Sequence, residues 1–230
     1  MIDFHSHILP GIDDGSPDVE TSLRMIAAQQ RQGIDTGIAT SHFYASQRTP
    51  SHFLERRLEA WEALEPRLPS DSPEILLGAE VLYYPGISRM KELPSLCIEG
   101  TNILLLEMPF HPWSETTIQE VSELAQSGEF TIILAHIERY FDQNPMRVWD
   151  AFLDYGMLMQ SNASFFYPLF TRRKALRLLQ EDRIHLLGTD AHNMASRAPD
   201  MDKAVSVIRR HNGDEILEYM DHLGRHLLGS

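Results

Sequence analysis

Short apolar runs alternate with amphipathic stretches from one end of the chain to the other. Runs at 2–5, 36–40, 75–79, 102–106, 131–135, 157–161 and 184–188 have the length and composition of buried strands. Between them the apolar residues recur at helical spacing. Ser16-Pro17 reads as an N-cap followed by proline at the first helical position, and it leads into Leu23, Ile26, Ala27 and Ile34. Leu54, Leu58, Trp61 and Leu68 form a second stripe, interrupted by Glu65, and Ile118, Val121, Leu124 and Ala125 a third. Asn144-Pro145 repeats the cap-plus-proline signal before Val148, Trp149, Phe152 and Leu153. Leu176, Leu178 and Leu179 mark a fifth helix, and residues 200–227 hold one or two more.

Strands that alternate with helices imply an α/β fold with parallel strands and helical crossovers. Each strand candidate ends on, or just before, a polar residue: His5, His42, Glu80, Glu107, His136, Asn162 and Asp190. These lie 26 to 38 residues apart, close to the ~30 residues of a βαβ unit. Seven such units predict a TIM-like barrel one strand short of the usual eight, with an open doubly wound sheet as the competing fold. In barrels of this kind the chemistry sits at the carboxyl ends of the strands, where the seven polar residues fall. No Pro/Gly/Ser-rich linker or low-complexity tract divides the chain, so residues 1–230 read as a single domain.

Composition narrows the class. Apolar residues at 43% and charged residues at 23% are those of a soluble globular protein, and no apolar run approaches the ~18–20 residues of a membrane helix. The 33 acids outnumber the 20 bases, for a net charge of −13. That balance opposes nucleic acid and anionic membrane surfaces as partners. Cys97 is the single cysteine, which removes an intrachain disulfide framework and suits a reducing cytoplasm. The start, Met1-Ile2-Asp3-Phe4-His5-Ser6-His7, has neither the basic nor the apolar region of a secretory signal, and the expected location is cytoplasmic.

His5-x-His7 places two imidazoles at i and i+2 of a strand, on one side. Asp190-x-His192 repeats the spacing at the seventh strand, and Asp14, His42, Glu80, Glu107 and His136 lie between them. Five imidazoles and four carboxylates make a borderline-hard ligand set, suited to Zn, Mn or Fe rather than Ca or soft copper. They are too many for one ion and enough for two or three with a bridging carboxylate. Glu80 and Glu107 each interrupt an apolar run. A buried carboxylate costs several kcal/mol without a partner, so each needs a metal or an arginine.

The segments Phe4-His-Ser-His-Ile-Leu-Pro-Gly-Ile-Asp-Asp-Gly15, Thr40-Ser-His42, Gly78-Ala-Glu80, Ala135-His-Ile-Glu-Arg-Tyr140 and Thr189-Asp-Ala-His-Asn193 resemble the PHP (polymerase and histidinol phosphatase) superfamily. Within it the chain is most similar to the bacterial protein-tyrosine phosphatases of capsule and exopolysaccharide gene clusters. The resemblance implies a distorted (β/α)7 barrel with a trinuclear, often manganese-dependent centre. Carried over by motif, one ion takes His5, His7, Glu80 and Asp190. A second takes Glu80 as a bridge with Glu107 and His136, and a third takes Asp14, His42 and His192. Arg139 matches the phosphate-binding arginine. The family's Gly-Arg-Pro-Pro after Asp-x-His-Asn is replaced here by Met194-Ala-Ser-Arg-Ala-Pro199, a departure from the pattern in which the resemblance implies Arg197 as the second phosphate arginine. Alignment alone picks Asp14 over Asp13. The implied partner is a phosphotyrosine-bearing protein, an autophosphorylated bacterial tyrosine kinase.

The chemistry of the residues agrees with that class. Three divalent ions outweigh the four carboxylates by two charges, and Arg139 and Arg197 add two more, so the site attracts a phosphate dianion that the rest of the chain repels. Bound metal lowers the pKa of water toward ~7 and so supplies a hydroxide to attack phosphorus. His42, His192 or a coordinated water is left to protonate the leaving oxygen. A cysteine-dependent phosphatase needs arginine six residues after the cysteine, and Ile103 stands there. A carbamylated-lysine amidohydrolase lacks its lysine, because Lys91, Lys174 and Lys203 lie away from the strand ends. Histidinol-phosphate hydrolysis, DNA 3′-end processing and a non-catalytic metal-binding module that docks on a kinase are the other readings. Net acidity opposes the DNA role, and a complete ligand set opposes the non-catalytic one. The pairs Phe43-Tyr44, Tyr140-Phe141 and Phe165-Phe166 follow presumed site positions, either to flank a phenyl ring or to pack the barrel rim. His52, His111, His185, His211, His222 and His226 fall off the strand-end pattern and take ordinary surface or core roles.

Overall fold

A computed structural model describes residues 1–229. Its strands are β1 Ile2–Ser6, β2 Thr36–Ala39, β3 His42–Phe43, β4 Glu74–Leu77, β5 Glu80–Leu82, β6 Ile103–Glu107, β7 Thr131–Leu134, β8 Leu158–Asn162 and β9 Leu186–Gly188. These pieces occupy seven positions, because β2–β3 and β4–β5 are each one strand with a two-residue break. Hydrogen bonds cross both breaks: Gly78 N donates to Ala39 O at 2.9 Å and Glu80 N to Ser41 O at 3.1 Å. Every pairing is parallel, in the orders β1-β2-β4 and β3-β5-β6-β7-β8-β9. Beyond β9 the chain returns to β1. Asp190 N donates to His5 O at 2.7 Å, His7 N donates to Ala191 O at 2.8 Å, and Ser6 bridges Ala191. The ring is therefore closed, where an open sheet would leave its first and last strands as edges.

The helices are α1 Val19–Arg31, α2 Pro50–Leu64, α3 Glu115–Gln126, α4 Met146–Asp154, α5 Leu169–Gln180, α6 Met201–Arg210 and α7 Asp214–Leu228. The expectation of a helix in nearly every interval fails between β5 and β6, where two 3₁₀ turns, Ile87–Arg89 and Leu93–Leu96, replace it. Pro85, Gly86 and Pro94 break helical propagation there. Glu120 of α3 clasps the segment, accepting from Tyr83 Oη at 2.9 Å and Gly86 N at 2.9 Å. Two caps also differ from the sequence reading. Asp18, not Ser16, caps α1 by accepting from Thr21 N at 2.8 Å, because Ser16 N is already tied to His7 O at 3.0 Å. Asn144 does not cap α4. It accepts from Trp113 N at 3.0 Å and donates to Tyr140 O at 3.2 Å, so Pro145 takes the cap position. α2 buries Phe53, Ala60 and Leu64 and turns Leu58 to solvent, so its apolar stripe is offset from the expected one.

Along the strands every second residue shares a face, and the barrel's inner face changes character from bottom to top. Ile103 and Leu105 lead to Glu107, Leu158 leads to Gln160 and Asn162, and Ile38 leads through Thr40 to His42. The amino-terminal half of the barrel is an apolar plug built on Ile2, Phe4, Ile38, Ile103, Leu105 and Ile133. The carboxyl-terminal half is polar. In β1 the register with β2 slips between Asp3 and Ser6, the kind of bulge that re-aims side chains beside a site. α7 floors the plug, with Gly224 lying against Phe4 and Ile2.

A Cβ at Gly224 would sit 2.8 Å from Phe4 Cε2 and 3.0 Å from Ile2 Cδ1. Gly→Ala in a helix interior gains about 1 kcal/mol in propensity, but overpacking a core typically costs about 1–3 kcal/mol. Gly224→Ala should therefore be net destabilising. The expected outcome in thermal unfolding is a Tm lower by about 2–4 °C per kcal/mol lost, with metal content unchanged because the contact is at the far end of the barrel. An unchanged or higher Tm would show that α7 yields at no cost.

Candidate metal centre

The nine expected ligands converge at the carboxyl-terminal mouth. His5 Nε2 lies 3.1 Å from His7 Nε2, 3.3 Å from Glu80 Oε2 and 3.6 Å from Asp190 Oδ1. His7 Nε2 lies 3.4 Å from each of those two carboxylate oxygens. Atoms that bind one ion at ~2.1 Å stand ~3.0–3.4 Å apart at tetrahedral or octahedral angles, which is close to the spacing seen here. His136 Nε2 reaches Glu80 Oε1 at 2.7 Å and Glu107 Oε1 at 3.3 Å. Asp14 Oδ1 is 3.4 Å from His42 Nε2 and 3.5 Å from His192 Nε2. Four groups have a spacing able to hold an ion: His5/His7/Asp190, His5/Glu80/His136, His42/Glu80/Glu107 and His7/Asp14/His42/His192. Together they contain the nine residues and no others; Glu80 is shared between two groups as expected of a bridge, and His5, His7 and His42 are shared as well rather than assigned to one ion each.

Tautomers decide whether these nitrogens are lone pairs. His5 Nδ1 donates to Gln160 Oε1 at 3.3 Å, His7 Nδ1 to Asp13 Oδ2 at 2.8 Å, and His192 Nδ1 to the Asp190 carbonyl at 2.9 Å. In the neutral form of each imidazole the proton is thereby held on Nδ1, and Nε2 is the nitrogen free to accept, pointing into the cluster. Two such acceptors 3.1 Å apart repel unless a cation lies between them. His42 Nδ1 and Glu80 Oε2 are 2.8 Å apart, yet neither makes a hydrogen bond. Both are buried acceptors aimed at a common point. His136 Nδ1 and His192 Nε2 are likewise buried without a partner. Orphaned buried acceptors are costly, and a divalent ion satisfies several at once.

The electrostatics carry the same message. Burial would lower the pKa of His7, but its hydrogen bond to Asp13 and the nearby Asp190 and Glu80 raise it well above the ordinary imidazole value. Burial would raise Glu80, yet the charge of His5, the hydrogen bond from His136 and the close His42 imidazole hold it well below the carboxylate range. His136 is pushed up to about 9 against burial by Glu107 and Glu80. This is a negative pocket that gathers positive charge. His136 and Asp190 also hold left-handed backbone, with φ of 33° and 51°, a conformation that costs non-glycine residues energy and that clusters at functional sites.

Several supporting residues escaped the sequence reading. Asp13 accepts from His7 Nδ1, from His42 N at 2.9 Å and from Gly15 N at 2.9 Å, so its carboxylate is fully committed. Asp14 is 66% exposed at its side chain and faces His42 and His192. Geometry thus separates two neighbours that spacing along a loop could not. β8 contributes no ligand but a relay. Gln160 Oε1 accepts from His136 N at 2.7 Å as well as His5, its Nε2 donates to Asn162 Oδ1 at 3.1 Å, and Asn162 Nδ2 donates to Asp190 Oδ2 at 2.9 Å. Asp3 takes Thr189 N, Thr189 Oγ1 and Gln29 Nε2 at 2.6–2.8 Å, pinning β1 to the Asp190 turn. Polar residues inside otherwise buried strands (Asp3, Gln160) were the available signal.

Arg139 and Arg197 both clasp Asp190, Arg197 Nη2 at 2.7 Å from Oδ1. They stay 36% and 37% exposed and line a cavity of about 170 Å³ at the mouth. Of the two roles left open for the aromatic pairs, packing prevails. Phe43, Tyr140, Phe141, Phe165 and Phe166 are buried packing residues, Tyr140 lies edge-on to His136 with ring centres 6.0 Å apart, and the partly exposed Tyr44 stacks 5.0 Å from His42. The aromatic ring at the mouth is Phe110, 51% exposed, 5.8 Å from His136 and 5.7 Å from the Arg139 guanidinium. Of the histidines set aside, His185 is buried against Met159 N, and the other five are exposed and outside the groups above. Burial pushes the Cys97 thiol up to about 11, so it stays protonated near neutrality.

Residues 1–224 match the family model for capsular polysaccharide synthesis, CpsB/CapC. The tyrosine-protein phosphatase CpsB of Streptococcus pneumoniae is 31% identical over 232 residues, covering 93% of this chain and 91% of that protein. The tyrosine-protein phosphatase YwqE of Bacillus subtilis (strain 168) is 32% identical over 228 residues, covering 96% and 88%. Among solved structures, one from the work on B. subtilis YwqE and S. pneumoniae CpsB, described as unique metal-dependent tyrosine phosphatases, superposes with a TM-score of 0.84. It is 27% identical and covers 99% of this chain and 94% of that one.

Loss of residues that orient metal-binding histidines typically costs 10–100-fold in metal affinity. Gln160→Ala frees both His5 Nδ1 and the His136 amide, and the expected outcome in a competitive metal titration is a loss in that range with the fold intact. Asp14→Asn should remove a directly facing oxygen and lower the number of ions bound, whereas Asp13→Asn should weaken binding without removing a ligand. Identical stoichiometry in the two aspartate variants would show that the distinction between them is wrong.

Proposed function

This chain belongs to the CpsB/CapC family of capsular polysaccharide synthesis, and from that premise we propose that it is a metal-dependent protein-tyrosine phosphatase, carried by one domain along the chain. The observation that bears most weight is the set of convergent lone pairs beneath Arg139 and Arg197. His5, His7, Asp14, His42, Glu80, Glu107, His136, Asp190 and His192 would hold two or three divalent ions, with manganese the foremost candidate for a mixed imidazole–carboxylate set. When bound, such ions neutralise phosphoryl charge and lower the pKa of water toward ~7.

The chain's own residues do the rest. Arg139 and Arg197 present guanidinium donors to the phosphoryl oxygens and orient them over the centre. Phe110, beside Arg139, offers a ring face or edge to a phenyl group. Tyrosinate, with a pKa near 10, leaves more readily than an alkoxide, so little proton donation is needed. His42, partly exposed at the mouth, is better placed for that role than His192, whose Nδ1–H is held by Asp190 O. The substrate is then a phosphotyrosine on a flexible protein segment, for which we propose an autophosphorylated bacterial tyrosine kinase. A single buried thiol favours the cytoplasm, and no helix among the described residues is long and apolar enough to cross a membrane.

Chelation should abolish hydrolysis of a phosphotyrosine peptide and added manganese should restore it, while Cys97→Ser retains near-normal turnover with or without thiol alkylation. Full activity in metal-free protein would end the proposal. With metal restored, a phosphotyrosine peptide should be preferred over its phosphoserine counterpart and over histidinol phosphate. A tenfold preference for histidinol phosphate would move the assignment to small phosphoesters.

Arg139→Ala and Arg197→Ala should each lower kcat/KM by about ten- to a hundredfold, the loss of one charge-assisted contact, with bound metal unchanged. Normal kinetics in Arg139→Ala would place phosphate recognition elsewhere.

A further inference from the structure

Residues 169–180 carry Arg172, Arg173, Lys174 and Arg177 and no acid, in a chain whose net charge is −13. They form α5, whose inner face is Ala175, Leu178 and Leu179. The outer face begins with Leu169 and Phe170, 83% and 88% exposed, more than any other large apolar side chain among the described residues. Arg173 and Arg177 continue it, both exposed. A groove of about 770 Å³ runs along this face, from Leu169 to Gln180 and His211. α5 follows the carboxyl end of β8, so its first turn lies on the catalytic side of the barrel. Lys174 Nζ ties it to Asp142, three residues beyond Arg139, at 2.5 Å.

From these features we infer that the α5 groove docks an acidic stretch of the phosphotyrosine-bearing substrate itself, with Leu169 and Phe170 gripping an apolar side chain and Arg173 and Arg177 its carboxylates. The inference rests on the phosphatase reading. An enzyme this acidic repels an anionic phosphoprotein everywhere except where positive charge is gathered, and beyond the metal mouth this helix is such a place. The twelve residues of α5 span ~18 Å, room for about five or six residues of extended peptide at ~3.3 Å each. Concavity and overall negative charge favour such a segment over a flat anionic bilayer.

The test uses a phosphotyrosine peptide extended at both ends by about ten residues that include glutamates and one phenylalanine, the same peptide with Glu→Gln throughout, and p-nitrophenyl phosphate. The acidic peptide should show a KM about tenfold below the glutamine one at low salt, a gap that closes near ~0.5 M salt. Arg173→Glu/Arg177→Glu should erase the gap and Leu169→Ser/Phe170→Ser should narrow it, with p-nitrophenyl phosphate turnover unchanged in both. A fluorescent, unphosphorylated acidic peptide should bind the wild type and lose about tenfold in affinity to the charge variant. That arm needs no catalysis, so it still reads the groove if p-nitrophenyl phosphate is not hydrolysed and the phosphatase reading falls. Equal KM values for the two peptides would overturn the proposal. So would a dimer that Leu169→Ser/Phe170→Ser dissociates, or binding of phosphatidylglycerol vesicles in place of the peptide.

Discussion

Everything at the top of this barrel follows from the cost of placing acceptors face to face. Glu80 is fully buried and meets His5, His7, His42 and His136 within 3.4 Å. A carboxylate without counter-charge in such a place is strongly unfavourable, and the hydrogen bond from His136 Nε2 at 2.7 Å satisfies only Oε1, leaving Oε2 without a partner. The protein nevertheless holds the protons of His5, His7 and His192 on the far nitrogen, by Gln160, Asp13 and the Asp190 carbonyl. These contacts maintain an arrangement that is unfavourable until a cation is supplied. Pre-organisation of this kind is what binding and catalytic sites require of the elements that carry them.

The barrel can bear that strain because its two ends are different solvents. The inner face is hydrocarbon at Ile2, Phe4, Leu105 and Ile133 and floored by α7. Toward the carboxyl ends of the strands the inner face becomes Glu107, Gln160 and His42. The apolar half supplies stability and the polar half supplies function, with the strand period as the only boundary between them. Behind the His136–Arg139 loop, Tyr140 and Trp149 stack with Trp113 close by, and Asn144 ties Trp113 to the Tyr140 carbonyl. This packing explains why aromatic residues adjacent to the site in sequence are walls rather than contacts.

How much of this was legible follows from what periodicity can report. The strand ends and their polar residues were readable because alternation along a strand projects directly onto the barrel's inner face. The convergence of the nine candidate ligands was readable because histidines and acids that interrupt apolar runs are rare without cause. Loops were not legible in the same way. Asp13 and Asp14 differ only in which way a turn throws them, and the start of α1 depended on a hydrogen bond between Ser16 and His7 that spans the turn. Phe110 was missed, and the role of Phe141 stayed open, for the same reason, since exposure just past a strand is set by tertiary packing. The segment between β5 and β6, broken by Pro85, Gly86 and Pro94, is clasped by Glu120 from α3, on the far side of β6, a contact that no local pattern reports.

The closure of β1 onto the segment after β9 bears on how the protein is made. Asp3 joins Thr189, and His5 and His7 meet Asp190, across more than 180 residues of chain. Contacts of such separation are slow to form, because the entropy of a long loop is lost before they reward it. The histidine pair and its Asp190 partner stand at opposite ends of that long loop, so the site is complete only after the ring has closed. A pocket of this kind has no half-formed version: closure of the ring and assembly of the nine side chains are one event.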